Sequence, residues 1–119
     1  MSSAISWDIQ LTVNEGHLDN VKELMAEMVE ATKNNEPGAL NYEWFMDDSE
    51  STLHVYERYE DADATMVHLG NFGQNFAERF MTYLTITAFP IYGPVTDEIK
   101  EALSPIGATF MGQVGGFAR

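Results

Sequence analysis

The chain contains no cysteine, which removes disulfide staples and thiolate metal sites together. It is also poor in positive charge, with six lysines and arginines against nineteen aspartates and glutamates. The resulting net charge of −13 would repel nucleic acid phosphates and anionic lipid surfaces, so neither is an expected partner. No stretch approaches the roughly 18 apolar residues of a spanning helix, and the opening MSSAISWDIQ lacks the basic start and apolar run of a secretory signal. A cytoplasmic location is the simplest expectation. His17, His54 and His68 have no second ligand at a spacing such as HExxH, and P-loop, GxGxxG and GxSxG signatures are missing. No bound metal or nucleotide is expected. What remains is a globular composition, 45% hydrophobic over 119 residues, in the size range of a single domain.

The hydrophobic pattern alternates between two periods. Residues 4 to 13, AISWDIQLTV, place Ile5, Trp7, Ile9, Leu11 and Val13 on one face of a strand. After Asn14-Glu15-Gly16, a stripe through Leu18, Val21, Leu24, Met25, Met28 and Thr32 predicts an amphipathic helix ending near Asn35. Glu36-Pro37-Gly38 breaks it and starts a second strand in which Leu40, Tyr42, Trp44 and Met46 share a face. A polar turn leads to a third strand, with Leu53, Val55, Glu57 and Tyr59 on one side and His54, Tyr56 and Arg58 on the other. A short helix ending near Gly70 carries His68 in its last turn, and a second, Phe72 to Tyr83, carries Phe72, Phe76 and Phe80 on one stripe. Residues 84 to 93 read as a fourth strand, bulged or at an edge because of Pro90. A helix, Thr96 to Leu103, and a weak strand close the chain.

This order, two βαβ-like halves joined by a hairpin, predicts an α+β fold of the ferredoxin-like type. An antiparallel sheet would carry its helices on one face, with a core over about residues 4–92 and a helix-strand extension over 93–119. The bare face would present Asp8, Gln10, Asn41, Glu43, Phe45, His54, Tyr56 and Arg58, too rich in rings to be left wholly to water. We expect a homodimer through that face, Arg58 pairing with Glu43 or Asp8, and the extension reaching the partner.

EPGALNYEWF followed by LHVYERYEDADATMVHL resembles the antibiotic biosynthesis monooxygenase domain of the dimeric α+β barrel superfamily. The residues that carry the resemblance are Pro37, Gly38, Leu40, Tyr42 and Glu43, then Tyr56, Glu57, Tyr59 and Glu60, then His68. It implies an oxygenase acting on quinols, anthrones or similar polyphenols in a pocket between sheet and helices, with molecular oxygen as co-substrate and no metal or flavin. Anthrone-oxidising relatives carry an Asn and a Trp four apart on the third strand, where this chain has Val55 and Tyr59. The haem-degrading branch uses an Asn on the first strand, where this chain has Trp7, Ile9 and Leu11.

Strand parity turns Trp7, Ile9, Tyr42, Trp44, Val55, Glu57 and Tyr59 towards the helices. Tyr42, Trp44, Val55 and Tyr59 with Phe72 and Phe76 are the candidate walls of a site for a flat aromatic ligand, needing a cavity of a few hundred Å³. Phe72, Phe76 and Phe80 can equally be filled core. A carboxylate alternating with Leu53, Val55 and Tyr59 is costly to bury unless paired. If His68 pairs with Glu57, its pKa rises, and the two become the candidate catalytic residues, His68 as base and Glu57 as its orienter. Against this stand a structural anchor at Glu57 and a solvent-exposed histidine at a helix end. A noncatalytic ligand-binding dimer and a filled, ligand-free core are the competing readings.

Overall fold

In the computed structural model, which describes residues 2–119, the order is β1 (Ile5–Val13), α1 (Leu18–Asn35), β2 (Ala39–Met46), β3 (Thr52–Tyr59), α2 (Ala62–Asn75), α3 (Ala77–Tyr83), β4 (Leu84–Ala88), β5 (Pro90–Tyr92), α4 (Asp97–Leu103), a 3-10 turn (Ser104–Ile106) and β6 (Thr109–Met111). The sheet runs β2-β3-β1-β5-β6, with β4 also paired to β1. Every pairing is antiparallel except that of β5 with β6. The sheet is open and its helices lie on one face, the ferredoxin-like arrangement.

Alternation decides which face is covered. On β1 and β3 the odd-numbered residues from Ile5 to Leu11 and from Leu53 to Tyr59 are buried, and they meet Val21, Leu24 and Met28 of α1 and Phe80 of α3. The even-numbered residues form the open face. There Gln10 donates to Asp8, which also lies 3.5 Å from His54, and Asn41 donates to Glu43. Both acids expected to meet Arg58 thus have partners within the chain, and Phe45 stands 55% exposed beside them.

Four local expectations change. The helix bearing His68 does not stop near Gly70; it continues to Asn75, so Phe72 belongs to α2 and His68 sits in mid-helix. A glycine costs a helix only about 1 kcal/mol, less than packing returns. Leu40 does not share the face of Tyr42, because a register shift between Ala39 and Asn41 turns it 49% exposed. The fourth strand is broken at Phe89 into β4 and β5, the irregularity that Pro90 anticipated, and Phe89 turns inward. The extension folds back on its own chain: β6 pairs with β5, and α4, capped by Thr96, buries Ile99 and Leu103 in the core.

Candidate functional site

Glu57 and His68 meet. β3 delivers Glu57 from the inner face of the sheet, and α2, whose N-terminus is capped by the Asp61 carboxylate accepting from the Ala64 amide, crosses above it. His68 Nε2 lies 3.1 Å from Glu57 Oε1, and the same oxygen accepts from the Tyr59 hydroxyl at 2.6 Å. Among the described residues no donor reaches Glu57 Oε2. The opposite ring nitrogen, Nδ1, lies 3.0 Å from Glu36 Oε1, and Glu36 Oε2 accepts from Asn71 at 3.3 Å. His68, Glu57 and Glu36 are each within 6% of full burial. An imidazole held between two carboxyl groups satisfies both nitrogens when both carry protons.

That geometry decides the charge. Burial works to lower the His68 pKa, but the hydrogen bonds the ring donates to Glu36 and Glu57, with their charges, outweigh it and hold the ring up at about 9. A ring held at about 9 favours the protonated form at neutral pH, which works against the part of base expected of it. Burial first, and the neighbouring Glu57 second, push the hydroxyls of Tyr42 and Tyr59 well above the ordinary phenol value, so both stay neutral. The rings of Tyr59, Tyr42 and Trp7 lie 4.9, 5.5 and 6.3 Å from the His68 ring.

Next to this cluster lies a cavity of about 50 Å³. Glu57 and His68 reach it, and Tyr42, Trp44, Val55 and Phe72 line it, as parity predicts. Tyr59 and Phe76 do not. Tyr59 is wholly buried against Trp7 and spends its hydroxyl on Glu57. Phe76 falls at the junction of α2 and α3, under the Arg79 guanidinium, because the helix breaks where one continuous stripe was expected. The Trp44 indole Nε1 is buried without an acceptor among the described residues. The volume is well below the few hundred Å³ expected, and the extension is one reason, since Leu103 and Ile106 fill one wall. Inward-turned Phe89 adds another side chain.

Sequence reasoning missed Glu36, taken only as part of a helix-breaking turn. A signal was there: Glu36 caps the C-terminus of α1, the negative end of the helix dipole, where a carboxylate is unfavourable unless a cation faces it. Among the described residues no group of three or more His, Asp or Glu side chains is placed to hold a metal ion, and no helix is long and apolar enough to cross a membrane.

Comparison with known structures supports the architecture. MupZ from Pseudomonas fluorescens is 25% identical, with a TM-score of 0.85, the match covering 99% of this chain and 96% of that one. Rv0793 from Mycobacterium tuberculosis is 19% identical, with a TM-score of 0.67 over 80% of this chain and 98% of that one. SnoaB from Streptomyces nogalater, a cofactor-independent oxygenase, is 15% identical, with a TM-score of 0.64 over 76% of this chain and 91% of that one. Comparison with curated protein sequences returns no match. The model of the antibiotic biosynthesis monooxygenase family matches residues 5–79, which takes in β1 through α2, with Glu57 and His68, and the start of α3. The chain belongs to the antibiotic biosynthesis monooxygenase family.

Proposed function

We propose that the protein is a monooxygenase that works without metal or organic cofactor on a quinol or other polyphenolic ring held between sheet and helices. The observation that carries this reading is a buried carboxyl group with one free oxygen, its other oxygen 3.1 Å from a histidine ring, at the wall of an aromatic cavity in a chain of this family. In this reading Glu57 takes the proton of a ring hydroxyl through Oε2, while His68 at its Oε1 holds the carboxyl group in place. The phenolate passes one electron to O2, and the ring radical and superoxide combine at a ring carbon. The peroxide takes the proton back from Glu57 and loses water together with the hydrogen on that carbon, leaving a carbonyl. One oxygen atom stays on the ring, the other leaves as water, and the substrate supplies both electrons.

Tyr42, Trp44, Val55 and Phe72 are the proposed ring contacts, and Trp44 Nε1 is a donor still in need of an oxygen. A bicyclic ring does not fit about 50 Å³, so binding requires a wall to part, and we assign that movement to Leu103 and Ile106 of the extension. The small volume also favours a second reading, a noncatalytic module that grips a smaller apolar ligand. Oxygen uptake with a reduced naphthoquinol under air separates the two. Wild type should exceed the buffer rate, with Glu57→Gln lower by roughly 10² to 10⁴ and His68→Ala also impaired. Equal uptake in all three, at the uncatalysed rate, sinks the oxygenase reading. The proposed protein acts as a homodimer through the open sheet face.

A further inference from the structure

Glu57 and Glu36 face different spaces. Glu57 lines the inner cavity, whereas Glu36 lines a separate groove of about 350 Å³ between α1 and the start of β2, together with Val29, Thr32, Lys33 and Pro37. Tyr42 lines both, so the two spaces adjoin at this side chain. His68 links the two carboxyl groups, with Nε2 at 3.1 Å from Glu57 and Nδ1 at 3.0 Å from Glu36. The geometry points to Glu57–His68–Glu36 as a proton connection between the inner cavity and the outer groove, with Glu36 as the positioning residue that holds His68 in line and opens its proton to solvent.

The transfer balances. With both carboxyl groups ionised and both His68 ring nitrogens protonated, the cluster carries a net charge of −1. When Glu57 gains a proton on Oε2 from the cavity side, His68 gives its Nδ1 proton to Glu36, and Glu36 releases it to water in the groove. Glu57 is then neutral, His68 is neutral with its proton on Nε2, Glu36 is a carboxylate again, and the net charge is still −1. Glu57 Oε1 keeps both of its donors throughout, Tyr59 and His68 Nε2. The same steps in reverse return a proton to the cavity. A buried site can therefore change the charge of what it binds without changing its own, which avoids the large cost of an uncompensated buried charge.

Every group facing His68 enters this account. β3 presents Glu57 and Tyr59, β2 presents Tyr42, β1 presents the uncharged Trp7, the end of α1 presents Glu36, and α2 itself contributes Asn71 beside Glu36. No second cation lies among them, so Glu36 and Glu57 alone hold the ring charged. The inference deepens the oxygenase reading, on which the use of the proton rests, but its test needs no substrate and stands if turnover is never found.

The test is ¹⁵N NMR of the His68 ring in the intact chain, following its titration and the exchange of its N–H protons with solvent. In wild type the ring should be doubly protonated at pH 7. In Glu36→Gln the titration should move down by about one unit or more, and exchange of both ring protons should slow by about tenfold, as one charge-assisted bond and the exit to the groove are lost. Val29→Trp, which fills the groove and leaves all three groups intact, should slow exchange with little change in titration. Glu57→Gln should lower the titration but leave Nδ1–H exchange at the wild-type rate. A merely structural Glu36 predicts faster exchange in Glu36→Gln through loosening, and no effect of Val29→Trp; either result overturns the connection, as does a neutral ring at pH 7 in wild type.

Discussion

A histidine between two carboxyl groups makes stability depend on pH with a definite sign. His68 binds its proton more tightly in the folded chain, about 9 against an ordinary 6.5. Its contribution is therefore complete below about pH 6.5 and is lost as pH rises to about 9. The largest loss that such a shift allows is about 3 kcal/mol. Urea titrations across this range should show unfolding free energy falling in wild type and a flatter profile in His68→Gln. At the same cluster, Tyr59→Phe keeps the buried ring and deletes only the donor to Glu57 Oε1. It should cost about 2 kcal/mol, the worth of a buried hydrogen bond to a charged group, read as a lower urea midpoint with an unchanged slope.

At the scale of elements, the Pro37-Gly38 turn matters because of what crosses it. A Cβ built on Gly38 would lie 2.6 Å from the Ala64 Cβ and 3.2 Å from Glu60 Oε1, so the first turn of α2 rests directly on the chain just after Glu36. The Glu60 amide donates to the Gly38 carbonyl at 2.9 Å, tying the end of β3 to the same turn. Glu36 and His68 are thus held in register by one close approach. Gly38→Ala must push α2 outward and should cost about 1 to 3 kcal/mol, as overpacking does. Because the shift separates Glu36 from His68, the His68 titration should also fall towards its ordinary value, which a loss of stability elsewhere in the fold would not produce. The break between α2 and α3 has a comparable consequence. It lets Phe72 and Phe80 meet edge-on at 5.2 Å and line the cavity, while Phe76 is diverted to Arg79.

For the whole molecule, the extension is part of the core. Ile99 is fully buried and Leu103 nearly so, and Leu103 also forms a wall of the cavity. Deleting residues 94–119 should cost about 4 kcal/mol from these two side chains alone, and should raise binding of a hydrophobic dye as the cavity wall is removed. The open face leaves Phe45 55% exposed. Under the proposed face-to-face dimer, Phe45→Arg should shift sedimentation from dimer to monomer while leaving the circular dichroism spectrum unchanged; a wild-type monomer at micromolar concentration would remove the dimer from the proposal.

Alternation and helical spacing by themselves determined the order of elements, the inner face of β1 and β3, and the position of Glu57 among apolar neighbours, because side-chain direction follows directly from backbone period. They also marked Glu57 as a buried carboxylate in need of a partner, while the family resemblance pointed to His68 on the following helix. Periodicity carries no information about register shifts, so Leu40 was misplaced, and none about how far packing will carry a helix through Gly70. Contacts between distant segments belonged to the tertiary structure alone. It brought Glu36 across 32 residues to His68, raising the pKa of the ring, and it folded Leu103 and Ile106 over the cavity, narrowing it. Both outcomes depend on which groups share a desolvated space, and that is a property of the packed chain, invisible in any local window of sequence.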